Sequence, residues 1–288
     1  MNHKQGEHHM NKVMTFLAAA ASLAMASVAS SATAYAGAVL DNVLATKTLK
    51  VAAGTDWGPM SHMNDKHELD GSDIDIAKAI ADYLGVKVEF VTPAWDIMTA
   101  GRWEGRWDMA MGEMAPLKAR SEKLDFPAVY VYGRVSAVVH KDSKANKLSD
   151  LDGKVVGATA STVSESYANH TLAPDWIVGG KPIDFQFKPR EVKAYATHNV
   201  ALDDLRLGDG VRLDAVIGDE TVTRDAIKAG YPLKEIGVVL TTPGAVAILR
   251  GDKEFSEKIA AAIKAMKDDG TLAKIMVKWY GVDRSVEK

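Results

Sequence analysis

Apolar and polar positions along the chain switch between a period of two and a helical period, and each switch marks a unit. Residues 49–53, LKVAA, predict a strand, preceded by a short amphipathic helical stretch and ended by the turn GTDWGP. From Gly71 the spacing is helical: Ile76, Ile80 and Leu84 share one face, Asp73 stands where an N-cap belongs, and Gly85 closes the helix. VKVEFV then returns to strand. Residues 93–112 repeat the sequence of loop, helix and strand. This βαβ grammar implies a parallel sheet with right-handed crossovers.

Residues 126–143 form a β-branched run too long for one ordinary strand, with Gly133 inside it, and predict a passage from one lobe to a second. KVVGA at 154–158 starts a new strand, and ASTVSES opens a helix near Thr162. Residues 174–197 have no firm pattern. Residues 199–222 give a helix, a loop, and the strand LDAVIG ending at Asp219 and Glu220. A second long β-rich segment, 234–252, returns the chain to the first lobe. Two helices follow, with Phe255, Ile259, Ile263 and Met266 on the first face and Leu272, Ile275, Met276 and Trp279 on the second. The expected division is residues 38–132 plus 240–288 in one lobe and 136–237 in the other. The crossings are expected near Gly133 and Val238, with two sheets rather than one continuous sheet.

The stretch 111–126, MGEMAPLKARSEKLDF, is where chemistry concentrates. The preceding strand is expected to break at Gly112. A helix should restart with Pro116 near its first position, where a missing N–H costs nothing. Arg120 then lies about one turn in, able to swing back over the loop as part of a carboxylate trap. The competing reading pairs Arg120 with Glu113 or Asp125 on a solvated helix. Trp57 falls in the loop after a strand, where it either caps the core or meets a ligand, and Trp95 stands straight after a strand, where ligands of open α/β sheets gather. Trp103 and Trp107 beside the GR turns read as packing residues. Ser161 and Thr162 suit either an anion or ordinary N-capping.

Composition narrows the function. With 35 basic and 38 acidic residues in 288, the chain has no basic field for nucleic acid or an anionic membrane. The absence of cysteine excludes disulfides, thiolate metal sites, cysteine nucleophiles and a cysteine-linked lipid anchor. No cofactor is expected. Residues 1–36 carry Lys4 and Lys12, an Ala-rich apolar run and an A-x-A ending at Ala34 and Ala36. They read as a cleaved secretory signal, followed by a soluble periplasmic product. The histidines before Met10 are read as part of an upstream or foreign stretch, not as a metal site.

Five segments in order, GSDIDIAKAIADYLG, GRWDMAMGEMAPLKARSEKLDF, LSDLDGKVVGA, LDAVIGDE and DDGTLAKIMVKWYG, resemble the periplasmic solute-binding proteins of polar amino-acid ABC transporters, the family-3 type. The resemblance covers nearly the whole chain after residue 36. It implies an α/β, two-lobed periplasmic-binding-protein type II fold with two β crossovers as hinge and a ligand cleft between lobes. It also implies a monomeric receptor that delivers its ligand to a membrane permease. Arg120 matches the arginine for the ligand's α-carboxylate and Asp219 the acid for its α-ammonium. Trp57 and Trp95 match aromatic positions that sandwich the side chain. Asp56, Gly112, Glu113, Ser161, Thr162 and Asn199 match cleft-lining positions. Two departures bear on the ligand: Ala115 replaces a usual Ser or Thr, and Glu113 replaces a small residue.

A cleft lined by Asp56, Glu113 and Asp219 with one arginine predicts a cationic amino acid or related amine. The alternative is a neutral, indole-lined pocket with Asp56 and Glu113 turned away. Two other functions use the same scaffold. A dehydratase or lyase of the cyclohexadienyl dehydratase type needs a general acid, for which Glu113 or Glu165 is available. A periplasmic sensor would use the closed form as its signal.

Overall fold

The computed structural model describes residues 37–173, 175–177 and 182–287; the expected signal segment 1–36 lies outside them. The first lobe begins with α1 (Ala38–Thr46), β1 (Thr48–Ala52), the short pair β2 (His62–Met63) and β3 (Leu69–Asp70), and α2 (Ser72–Leu84). It continues through β4 (Lys87–Val91), α3 (Trp95–Thr99), β5 (Met109–Met114), α4 (Lys118–Ser121) and β6 (Leu124–Asp125). The long β7 (Val129–His140) leads to β8 (Val155–Thr159), α5 (Val163–Ala168), β9 (Glu191–Tyr195), α6 (His198–Leu205), β10 (Ala215–Asp219) and α7 (Glu220–Lys228). The 17-residue β11 (Leu233–Leu249) returns the chain, and α8 (Lys253–Asp268) and α9 (Thr271–Tyr280) end it.

Hydrogen bonding joins nine strands in one sheet, eight of them in the order β4-β1-β5-β11-β7-β10-β8-β9 and the ninth, β6, paired on β11. This differs from the two separate sheets expected. The reason is that β7 and β11, the two crossovers, pair antiparallel along nearly their whole length, from Leu233 opposite His140 to Ala245 opposite Val129. The hydrophobic cores are nonetheless separate. In the first, Ile76 and Ile80 of α2, Phe255, Ile259 and Ile263 of α8, and Met276 of α9 cover β1 and β5. Each such fully buried side chain contributes roughly 1.5–3 kcal/mol. Trp103 and Trp107 pack with Met98, Met114 and Leu124 on the other face, as core residues. The second lobe closes around Tyr167, Phe187, Val156 and Ile217 on one face and Leu202, Leu205 and Val216 on the other.

The strands change lobes between Val131 and Val135 on β7, and between Leu240 and Ala245 on β11. Gly133 faces Thr242 in the register, so the return crossing lies a few residues past Val238. Bulges between Glu235 and Gly237 and between Val238 and Leu240 add length to β11 ahead of it.

Other local expectations are corrected. Gly71, not Asp73, caps α2; Asp73 lies fully buried in the first turn, aimed inward at Tyr130. The strand does not break at Gly112 but continues as β5 to Met114, passing through left-handed backbone at Glu113 (φ 49°). The helix after it is one turn long, starts at Lys118 and is preceded by Leu117, so Pro116 sits outside it. Of the unplaced stretch, residues 191–195 form β9 at the sheet edge.

Beyond α9 the chain folds back across the crossovers. The Tyr132 N–H donates to the Arg284 carbonyl at 2.8 Å. The Arg284 guanidinium meets fully buried Glu220 at 2.9 Å, which also holds Arg134 at 3.2 Å and Arg224 at 2.9 Å. Arg134 and Arg224 are half-exposed, but removing Glu220 strands the buried Arg284. Glu220→Ala is therefore expected to cost about 3–5 kcal/mol, read as a lowered urea midpoint of the ligand-free protein. A change under about 0.5 kcal/mol would show the cluster to be solvated.

Candidate functional site

Every loop that lines the space between the lobes leaves the C-terminal end of a strand. From the first lobe come the turn after β1 with Trp57 and Met60, Trp95 after β4, and the end of β5 with Gly112, Glu113 and Ala115. From the second come Thr159 and Thr162 after β8, Thr197 and His198 after β9, and Gly218 and Asp219 of β10. They enclose a cavity of about 160 Å³.

The indoles are fixed by glycines. A Cβ on Gly54 would fall 2.2 Å from the Trp57 ring. One on Gly112, where φ is 136°, would fall 2.8 Å from Trp57 and 3.0 Å from Trp95. The two rings meet edge to face, 5.7 Å apart at 84°. They form a corner of the cavity rather than two parallel plates.

Behind the indoles lies a buried acidic floor. The Glu113 N–H donates to the Tyr130 hydroxyl at 2.9 Å, and that hydroxyl donates to Asp73 Oδ1 at 2.7 Å. Tyr280 donates to Glu113 Oε1 at 3.0 Å and bonds Ser72 at 2.7 Å. Burial raises the Asp73 carboxyl to about 7, against the Tyr130 hydroxyl and the Gly112 N–H, which favour its charged form. Glu113 is raised to about 8, first by burial and then by Asp219 and Asp73, with Arg284 and Tyr280 opposing. Near neutral pH this floor holds protons.

Arg120, on the short α4, turns back over its loop. It donates to the Ala115 carbonyl at 3.0 Å and, across the cleft, to the Ser161 carbonyl at 2.9 Å. Its guanidinium lies 5.7 Å from the Trp95 ring centroid. Burial lowers it to about 10, so it remains charged at neutral pH. It forms no ion pair with Glu113, Asp125 or any other carboxylate among the described residues. The pairing that would make it an ordinary solvated helix residue is absent there.

In the second lobe Asp219 caps α7, its Oδ1 accepting from the N–H groups of Thr221 (2.8 Å) and Val222 (3.0 Å) and from the Thr221 hydroxyl. Thr162 caps α5, accepting from the Glu165 N–H at 3.4 Å. The Glu165 carboxylate accepts from the Ser161 N–H at 2.8 Å. His198 stacks on Gly218 and bonds the Thr223 hydroxyl at 3.0 Å. Burial pushes it down to about 4, with Asp219 pulling the other way. Neutral, it offers no positive charge to either acid.

Eight of the residues singled out from sequence therefore face the cavity: Trp57, Trp95, Gly112, Glu113, Ala115, Arg120, Thr162 and Asp219. Asp56, Ser161 and Asn199 stand at its rim and act through the backbone or across it. The Asn199 amide donates to the Asp56 carbonyl at 2.8 Å, and Trp95 Nε1 donates to the Ser161 carbonyl at 3.3 Å. The Asp56 side chain is exposed. Sequence reasoning missed Met60, Arg134, Ser164, Thr197, His198 and Thr242. The pair Thr197-His198 was findable: a threonine N-cap directly after a strand marks the same kind of loop.

The acids make stability depend on pH. Unfolded, Asp73 and Glu113 titrate near 3.8 and 4.5, so between there and about 7 and 8 the native state holds the extra protons. Stability falls as pH rises through that window. His198 works the opposite way between about 4 and 6.5, where the unfolded chain binds its proton. Above 6.5 the acids act alone. The melting temperature of the ligand-free protein is expected to fall between pH 6.5 and 8, and to fall less in Glu113→Gln. A flat profile would mean the carboxyls ionise without cost.

Residues 49–282 match the model of the bacterial extracellular solute-binding proteins, family 3. A probable amino-acid ABC transporter-binding protein of Haemophilus influenzae is 28% identical, the match covering 89% of this chain and 93% of that protein. A solved structure of an ancestral arginine-binding protein bound to arginine is 31% identical with a TM-score of 0.69, covering 82% of this chain and 99% of that one. An ancestral amino acid-binding protein, a precursor of cyclohexadienyl dehydratase, is 30% identical with a TM-score of 0.69, over 84% and 98%. With its two-lobed α/β fold and a cavity between the lobes, the chain belongs to the bacterial extracellular solute-binding proteins of family 3.

Proposed function

We propose that this protein is a periplasmic receptor that captures an amino acid, or a related small amine-bearing carboxylate, and delivers it to the permease of an ABC transporter by lobe closure. One observation carries the reading. Arg120, without a carboxylate partner among the described residues, and Asp219 belong to opposite lobes and line one cavity. A carboxylate on the Arg120 fork and an ammonium on Asp219 give oriented, charge-assisted bonds, and one molecule then ties both lobes together. Trp57 and Trp95 contact the side chain, and Asn199, Asp56 and Ser161 close the rim. The first lobe takes residues 38–132 and the chain after the return crossing between Leu240 and Ala245, the second lobe takes the residues between the crossings, and the protein works as a monomer. Residues 1–36 direct export and are removed. No helix of the described residues is long and apolar enough to cross a membrane, which agrees with a receptor that relies on a separate permease.

The protein binds its ligand without transforming it. The dehydratase reading draws on the protonated Glu113 carboxyl and the dehydratase precursor among the similar structures. Against it, Glu165 is committed to the Ser161 N–H, and the cavity histidine His198 is bonded to Thr223. Arg120→Ala is expected to weaken amino-acid binding about a thousandfold, several kcal/mol, while the ligand-free melting temperature stays nearly constant. Calorimetric titration with arginine, lysine, glutamine and glutamate reads the first and thermal unfolding the second. Unchanged affinity in the variant would remove Arg120 from the site, and turnover of prephenate or arogenate would establish the enzyme.

A further inference from the structure

Glu113 is a pocket-facing acid built into the crossover itself. Its carboxyl Oε2 lies 2.5 Å from where a Cβ on Gly133 of β7 would stand. Its Cα lies 2.8 Å from where one on Gly244 of β11 would stand. Both crossover strands thus carry glycine where this residue sits, and its left-handed backbone turns the side chain into that space. Tyr280 holds Oε1, and Tyr130 holds the backbone N–H. The groups facing the carboxyl are Asp73 from α2, Asp219 from β10, Tyr130 from β7, Tyr280 from α9 and Arg284 from the C-terminal segment. Arg284, the one cation among them, is bound to Glu220 at 2.9 Å. Among the described residues, three carboxyl groups therefore share this region with no cation facing Glu113 except Arg284, which Glu220 holds.

We propose that Glu113 is a second cation subsite of the cleft, taking a positively charged group at the far end of the ligand and releasing its proton to solvent as it does so. The inference rests on the amino-acid reading above and narrows it to ligands with an ammonium or guanidinium beyond the α-carbon. Before binding, the Glu113 carboxylic acid is neutral at pH 7, because burial and the neighbouring acids disfavour its charge. A ligand cation brought within reach removes that penalty. The carboxyl ionises, the proton passes to water, and the carboxylate and cation remain as a pair. A ligand with a neutral or acidic side chain leaves the proton in place.

The test is calorimetric titration of the protein at pH 7.0 with L-arginine, L-lysine and L-glutamine, each in phosphate and in Tris. Those buffers take up protons with very different heats. The expected result is release of close to one proton per arginine or lysine bound and none with glutamine. The affinity for the basic ligands should rise nearly tenfold per pH unit from 6 to 7.5. In Glu113→Gln the release should vanish, and arginine binding should weaken by at least about thirtyfold. If that variant does not fold, the pH slope of the unsubstituted protein decides alone. Binding of arginine with no buffer-dependent heat and no pH slope overturns the subsite and leaves the receptor reading intact, as does tight binding of glutamine alone. No heat from any amino acid overturns both.

Discussion

The antiparallel pairing of β7 with β11 is the constraint on which the rest of the molecule depends. It carries the chain between the lobes twice, in one ribbon, and the cavity lies where that ribbon passes from one core to the other. A ribbon that must bend there cannot also be a regular ladder. Three register shifts fall within the pairing, and each leaves a residue unpaired and increases local twist. The glycines at 133 and 244 remove the side chains that would collide with Glu113. Arg134, next to Gly133, points to the Glu220 cluster, so the same few residues bear both the bend and the buried charges. Hinge and pocket floor are one structure.

That economy has an electrostatic consequence. Asp73, Glu113 and Asp219 come from three elements distant in sequence, yet Asp73 and Asp219 both act on Glu113. Two tyrosine hydroxyls, pushed well above their ordinary range by burial and by these acids, stay neutral and serve as fixed donors. Hydrogen bonds from neutral donors hold a carboxyl in place but do not balance a charge. The floor of the cleft is thus held in place but unbalanced electrically, with Asp73 Oδ2 buried and without a hydrogen-bond partner among the described residues, and protons supply the balance until something else does.

The parts legible in the sequence were those set by local pattern. Helices α2, α8 and α9 follow from their apolar spacing, and the two over-long β segments announced the two-lobed plan. The two tryptophans were picked out because loops after strands hold ligands, a rule that needs no long-range information, Arg120 because it lies one turn into the helix after such a loop, and Asp219 through the family resemblance. The rest depended on contacts the pattern cannot show. Asp73 has the sequence signature of a cap, and only the Tyr130 hydroxyl, 57 residues away, explains its burial. The tie from Tyr280 to Glu113 spans 167 residues. The crossing point on β11 could not be placed from composition, because bulges change the count of residues without changing their character. The tryptophans were placed at the cavity, but their edge-to-face contact follows from Gly54 and Gly112 beneath them.

Closure itself can be weighed. The bonds that span the rim are those of Arg120 and Trp95 to the Ser161 carbonyl and of Asn199 to the Asp56 carbonyl, and all three are solvent-exposed. Exposed bonds of this kind contribute roughly 0.5–1.5 kcal/mol each at most, since water competes for the same groups. The Arg284–Glu220 pair lies beside the crossovers, where hinge motion moves atoms least, so it favours the fold more than either state. Turning a receptor from mostly open to mostly closed takes about 5.5 kcal/mol of differential affinity. The rim bonds alone, about 4.5 kcal/mol together at most, fall short of that figure. A ligand held by Arg120 in one lobe and Asp219 in the other supplies the remainder only if both contacts form together, because an amino acid bound to one lobe alone gains nothing from closure. The rim is therefore strong enough to finish a closure that ligand has begun and too weak to hold the lobes shut without it, which is the balance a transport receptor requires.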